Sequence, residues 1–274
     1  MKKFVDLLKK YPLLNCFIAI FFSMVAIKSI PTETYVQMCI LRMLLCGTLF
    51  FLLSFISGDK TINSCGNSTG YVIKVAAAIW LLALPLGLLG LVAQLAEAET
   101  IRPDWPYQIF TIFLLFVFVG LFEELAFRAI INDALLYRFR DKKNVFLWIA
   151  IVSSLVFGAA HIFGYVLMTP LDWVQALGKT LSAGVFGLCT LILYWHTRNV
   201  WACGLVHGIY DFIVGFSTAL TDSSMSASYV VPEEHAVLAI IVYAVSVLVM
   251  LIPLGIIWKK VGKKIDFDEI RRTW

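Results

Sequence analysis

Ile109–Leu121, IFTIFLLFVFVGL, followed at once by Phe122-Glu123-Glu124-Leu125-Ala126-Phe127-Arg128, is the stretch on which the fold turns. The first run carries no charged residue, and the second sets two carboxylates and a guanidinium at its end. A charge at bilayer depth is costly unless it is paired or faces water. Such a segment therefore either lies outside the membrane or performs a task within it.

Composition places it inside. Of 274 residues, 61% are hydrophobic and 15% charged, against about 25% charged in a typical soluble domain. This is the composition of a polytopic membrane protein. A net charge of +4 would suggest an anionic partner for a soluble chain; here the placement of Lys and Arg reports orientation instead, so the expected partner is the lipid bilayer and no nucleic acid. Of six cysteines, Cys16, Cys39, Cys46, Cys189 and Cys203 sit in or beside apolar runs and only Cys65 in a polar loop, which suits small buried hydrophobes better than a disulfide framework. Met1–Lys10 is basic and precedes an apolar run, but no small-residue cleavage site follows, so the first span is expected to be retained.

A spanning helix needs about 20 mostly apolar residues. Eight stretches come close: Leu13 to Ile27, Tyr35 to Ile56, Tyr71 to Leu95, Tyr107 to Phe127, Val145 to Met168, Leu177 to Trp195, Val200 to Leu220 and Ala236 to Trp258. The expected fold is an all-α transmembrane helix bundle of about eight spans, one unit over residues 1–274 with its motif-bearing core near 107–220. Lys2, Lys3, Lys9, Lys10, Lys60, Arg138, Arg140, Lys142, Lys143, Arg198 and the basic C-terminal segment all fall on one side. The opposite loops carry Lys28 and Arg102 with acids such as Glu33, Glu99, Asp104 and Asp222. Basic loops face the cytosol, so both termini are expected to be cytosolic. Trp105, Trp173, Trp195, Trp201 and Trp258 sit at span ends, where amphipathic rings suit the headgroup level. Arg42, inside the second span, either snorkels or pairs within the bundle. Asn67-Ser68-Thr69 matches a glycosylation acceptor but falls in an expected cytosolic loop and carries no weight.

The polar residues within the spans mark the chemistry. Glu124 and Arg128, four apart, can pair along one helix face, while Glu123 points roughly 100° away. His161 ends Phe157-Gly158-Ala159-Ala160-His161, and His207 and Asp211 share a face of the seventh span. A glutamate beside a histidine can activate water for attack on a carbonyl. A second histidine can donate to the developing oxyanion, whereas an ionised Asp211 only accepts, so Asp211 would act protonated or by fixing the tautomer of His207. Straight helices would put Glu123 about 22 Å from Arg138, His161 about 27 Å from Lys143 and His207 about 14 Å from Arg198. A common depth then needs tilts, a kink or helices starting at different heights. Gly158, Gly164, Gly184, Gly187 and Gly204 would permit close helix approach.

Glu123-Glu124-x-x-x-Arg128, Phe157-x-x-x-His161 and His207-x-x-x-Asp211, in that order on successive helices, resemble the three motifs of the CAAX protease and bacteriocin-processing (CPBP, or Abi) family. The resemblance implies a glutamate-dependent intramembrane peptidase with a cavity open to the cytosol. By matching position, Glu123 would accept the proton of the attacking water with His161 as partner, His207 and Asp211 would support the oxyanion, and Glu124, Arg128 and Phe157 would hold the architecture. Eukaryotic CAAX endopeptidases carry Asn where this chain has Asp211, which weakens the oxyanion assignment. The substrate implied is a protein or peptide, either a prenylated CAAX-like protein or a plain peptide precursor, with no cofactor, in a cell membrane of the bacterial plasma-membrane kind. Three alternatives differ in class. Zinc held by Glu123, His161 and His207 suits the donor types, although no His-Glu-x-x-His pair is present. A non-catalytic self-immunity or scaffold protein would keep the fold without the reaction. A proton-relaying transporter is disfavoured by the lack of inverted repeats.

Overall fold

The structure, a computed structural model, describes residues 10–56, 67–97, 100–221 and 229–272, together with Lys3, Asp6 and Leu7. Lys2, Lys9, Lys60, Cys65, Glu99 and Asp222, which enter the sequence reading, lie outside the described residues, as does the side chain of Cys16. Among the described residues there is no β-strand. The helices are α1 (Pro12–Ser29), α2 (Tyr35–Ile56), α3 (Thr69–Val75), α4 (Ala77–Glu97), α5 (Trp105–Glu124), a π-helical segment (Leu125–Asn132), α6 (Asp133–Phe139), α7 (Val145–Ala160), α8 (Pro170–Thr197), α9 (Val200–Gly215), α10 (Glu233–Val261) and α11 (Phe267–Arg272). Short 3₁₀ turns follow α9 and α10.

Among the described residues six stretches are long and apolar enough to cross a membrane: Tyr35–Ser54, Ala77–Ala96, Trp105–Phe139, Pro170–Thr197, Val200–Ala219 and Glu233–Lys264. Two further apolar helices are shorter, Phe17–Ser29 and Val145–Ala160. All eight expected apolar stretches are thus helical in at least part of their length. The fifth is shorter than expected, since Val145 to Met168 is helical only to Ala160. Turns follow, Gly164 takes a left-handed φ of 83°, and a Thr169/Asp172 capping box starts α8 afresh. The third breaks at Ala76 into α3 and α4. Ser68, part of the discarded acceptor motif, instead caps α3 by accepting from the Tyr71 amide.

Helix association in lipid lacks a hydrophobic driving force and depends on close packing at small residues. The tightest seam is α5 on α9, and it runs through Gly120, Gly204 and Gly208. A Cβ on Gly120 would collide with the Gly204 carbonyl and the Gly208 amide, and one on Gly208 would stand 2.6 Å from the Phe116 carbonyl oxygen. Backbone touches backbone there, so no side chain larger than hydrogen fits. At the α7–α8 contact Gly158 abuts the backbone of Thr180 in the same way. Exposed Leu81, Leu88, Leu89 and Val92 on α4, and Val237, Leu238 and Leu248 on α10, give the bundle an apolar exterior suited to lipid.

A buried polar latch fixes the register of this seam. Arg198, in the left-handed turn between α8 and α9, grips Asp133 with both terminal nitrogens, at 3.2 and 2.8 Å. Asp133 also accepts from Tyr194 Oη at 2.7 Å and from Asn132 Nδ2 at 3.0 Å. Trp195 is buried and donates to Asn132 at 3.1 Å, so it is a core residue and not the interfacial ring its position suggested. Glu124 and Asp133 are nine positions apart, as are Arg198 and His207. The antiparallel seam that closes Asp133 on Arg198 therefore also brings Glu124 level with His207. This meets the depth requirement for two of the three helices. For the third, α7 packs antiparallel to α8, with Phe146 against Trp195 at one end and Gly158 against Thr180 at the other, and so delivers His161 far from its own basic loop.

Candidate active site

Glu123 and Glu124 are the last residues of α5, where the hydrogen-bond pattern widens to the π form. Single π turns inside helices recur at functional sites. Arg128, in the π segment, is fully buried and meets Glu124 Oε2 through Nε at 3.0 Å. It also donates to Thr190 Oγ1 at 2.7 Å and lies 4.7 Å from the ring centre of Phe157. Thr190 Oγ1 in turn donates to the Gly187 carbonyl at 3.1 Å. The crevice exists because position 187 is glycine; a Cβ there would come within 2.6 Å of Phe157 and 3.1 Å of Arg128.

The second oxygen of Glu124 receives His207. Nδ1 of His207 stands 2.9 Å from Glu124 Oε1, and because a carboxylate only accepts, Nδ1 carries the hydrogen. Nε2 then faces Glu123 Oε2 at 3.6 Å and Asp211 Oδ2 at 3.5 Å. The residue that sets the tautomer of His207 is thus Glu124, where sequence spacing pointed to Asp211. Phe186 flanks the imidazole at 4.7 Å and stacks on Tyr210 at 4.5 Å.

His161 follows α7 directly, and its Nδ1 pairs with the Phe157 carbonyl at 3.0 Å. Nδ1 is therefore the donor, and Nε2 is left as the lone-pair nitrogen. The Phe157 ring separates the parts of the site, 5.0 Å from His161, 5.9 Å from His207 and 5.1 Å from Phe127. Glu123 is within electrostatic reach of His161. Its side chain is 17% exposed, yet its Oε2 is buried with no hydrogen-bond partner among the described residues. The structure therefore gathers Glu123, Glu124, Arg128, Phe157, His207 and Asp211, with His161 at the edge of the group, beside Phe157.

Several members were not singled out from the sequence. Thr190, Phe186 and Tyr229 give no local signal, because polar and aromatic residues at such places are ordinary. Lys179 did give one: it is a charged residue inside the sixth apolar run, and the rule that marks Glu123 marks it equally. Its Nζ lies 3.9 Å from the ring centre of Tyr229, and its charge acts on Asp211 and Glu123. Arg42 sits 5.4 Å over Phe122 within electrostatic reach of Glu123, so it points into the bundle toward the site.

Among the described residues no group of three or more His, Cys, Asp or Glu side chains is disposed to hold a metal ion. Two apolar clefts, of about 310 and 490 Å³, open beside α7 and take in none of these site residues. The site is instead approached at Glu123 and Asp211, the latter 25% exposed.

Residues 105–213 match the family model for Rce1-like type II CAAX prenyl endopeptidases. The matched segment starts at the first residue of α5 and ends just past Asp211, so it contains all three motifs and Lys179 but neither Arg42 nor Tyr229. It bears out the resemblance to the CAAX protease family that the motifs carry. No curated protein and no solved structure matches the chain significantly.

Proposed function

We propose that this CAAX-protease-like membrane protein is an intramembrane endopeptidase that hydrolyses a peptide bond with water activated by Glu123 and His161. The observation that carries the reading is Glu123 Oε2, a buried carboxylate oxygen without a hydrogen-bond partner among the described residues, in reach of an imidazole whose Nε2 is free to accept. A water held between the two loses a proton to Glu123 as its oxygen attacks the carbonyl carbon. The amine then leaves with that proton. Glu124 and Arg128 hold the Glu123 backbone and, through His207 Nδ1, the second imidazole. His207 Nε2 and Asp211 line the side where the carbonyl oxygen becomes negative.

The substrate is a protein or peptide, prenylated in the manner of CAAX proteins or a plain precursor. The basic-residue distribution supports a cytosolic mouth and cytosolic termini, and the membrane we propose is a cell membrane of the bacterial type. The test is cleavage of an internally quenched peptide library, farnesylated and plain, by purified protein in nanodiscs. Glu123→Gln and His161→Ala are expected to abolish cleavage that wild type supports, and chelators to leave it unchanged. Loss on chelation with recovery on adding zinc would establish the metal reading instead. Cleavage by neither form of the protein, with a cellular phenotype that survives Glu123→Gln, would establish a non-catalytic scaffold.

A further inference from the structure

Hydrolysis at this site needs a hydrogen-bond donor where the carbonyl oxygen gains charge, and no motif residue presents an uncommitted one at the open side. His161 commits its Nδ1 hydrogen to the Phe157 carbonyl, and Nε2 is needed as an acceptor. His207 commits its Nδ1 hydrogen to Glu124, and its Nε2 is flanked by the Glu123 and Asp211 carboxylates at 3.6 and 3.5 Å. Arg128 Nη1 makes no hydrogen bond among the described residues, but the guanidinium is fully buried against Glu124, Thr190 and Phe157, away from the open side. Asp211, when ionised, has no hydrogen to give. Yet preorganised donors at the oxyanion usually supply the largest part of such catalysis.

Lys179 has three hydrogens and, among the described residues, no ion pair. Its place is constructed. Tyr229, the ring it lies against, is held by its backbone: the amide donates to Tyr165 Oη at 3.1 Å and the carbonyl accepts from Tyr243 Oη at 2.7 Å. Two residues on, Val231 is clamped through both its N–H and C=O by the Gln175 side chain, at 2.9 and 3.1 Å, one helical turn before Lys179 on α8. The same ring borders the site, with Tyr229 and His161 ring centres 6.0 Å apart. Of the two acids at the open side, Arg42 is within electrostatic reach of Glu123, whereas Lys179 is within reach of both Glu123 and Asp211.

From this geometry we infer that Lys179 is a catalytic residue of this chain, donating a hydrogen bond to the carbonyl oxygen as it becomes an oxyanion, with the Tyr229 ring as its platform. The inference rests on the peptidase reading. In the step, the water oxygen bonds to the carbonyl carbon, Glu123 takes the water proton, and the C=O π pair moves onto oxygen, where Lys179 N–H meets it without transferring its proton. When the pair returns, the C–N bond breaks and the amine takes the proton from Glu123. Aspartate at 211 is then an anchor for the lysine, and loss of the lysine is offset by converting that aspartate into a donor.

The experiment measures kcat and KM on the pooled farnesylated and plain quenched peptides for wild type, Lys179→Met, Lys179→Arg, Asp211→Asn, the Lys179→Met/Asp211→Asn double variant and Tyr229→Phe, with thermal melts to confirm folding. Lys179→Met is expected to lower kcat roughly 100- to 1000-fold with KM little changed. Lys179→Arg should retain most of the rate. Adding Asp211→Asn to Lys179→Met should recover at least about tenfold, which a merely structural lysine would not allow. Full kcat in Lys179→Met, equal losses from Asp211→Asn in both backgrounds, or a greater loss in Tyr229→Phe than in Lys179→Met overturns the inference while leaving the peptidase reading standing if Glu123→Gln is inactive. Absence of cleavage by wild type overturns both.

Discussion

Replacing each of the two adjacent glutamates by glutamine should produce opposite defects. Glu124 and Arg128 are both fully buried and 3.0 Å apart, and Glu124 also holds His207 at 2.9 Å. Glu124→Gln keeps the volume but leaves the guanidinium without a counter-charge, with only the Thr190 hydroxyl and the Phe157 face for company. Removing one partner of a buried pair costs about 3–5 kcal/mol, and the amide oxygen, still an acceptor, restores about 1 kcal/mol. A net loss of roughly 2–4 kcal/mol corresponds to about 30- to 700-fold in the unfolding equilibrium. Among the described residues Glu123 has no such partner: the nearest ring nitrogen, His207 Nε2, is 3.6 Å away and one of its oxygens makes no hydrogen bond. Glu123→Gln should therefore cost less than about 1 kcal/mol while removing the proton acceptor. Reversible unfolding in mixed micelles, monitored by tryptophan fluorescence, reads the first effect, and peptide cleavage reads the second. Equal destabilisation by the two variants, or a destabilised Glu123→Gln with normal turnover, would refute the division of labour.

Four further substitutions follow from the packing. Gly208→Ala places a methyl 2.6 Å from the Phe116 carbonyl oxygen and 2.7 Å from Val117 Cα; it should cost about 1–3 kcal/mol as overpacking and lower turnover by parting Glu124 from His207, whereas Gly255→Ala, with nothing within 4 Å, should be neutral or stabilising in the same unfolding assay. Asp133→Asn strips the charge from the bidentate Arg198 contact and the Tyr194 hydrogen bond and should cost about 3 kcal/mol, seen as a lowered melting temperature. Thr190→Val removes one buried hydroxyl partner of Arg128 and should cost about 1–3 kcal/mol, measured by the same unfolding transition and smaller than the loss in Glu124→Gln.

By itself the sequence determined that this is a helical membrane protein and where its charged anomalies lie, because apolar runs and helical spacing are local properties. Glu124 meets Arg128 as their spacing of four requires, and the motif set leads to the same family that residues 105–213 match. Tertiary structure decided which groups face one another. His207 takes its hydrogen-bond partner from a helix end 83 residues earlier, and no periodicity in either segment encodes that. The widening of α5 into a π segment, the end of α7 at Ala160 and the burial of Trp195 against Asn132 likewise depend on neighbours remote in sequence. Lys179 is the instructive middle case: its charge within an apolar run was visible, but its approach to Tyr229 and the open side of the site arises only when the segment after residue 228 is hydrogen-bonded back onto α8. A charge in lipid announces that it must be satisfied; only packing between helices determines by what.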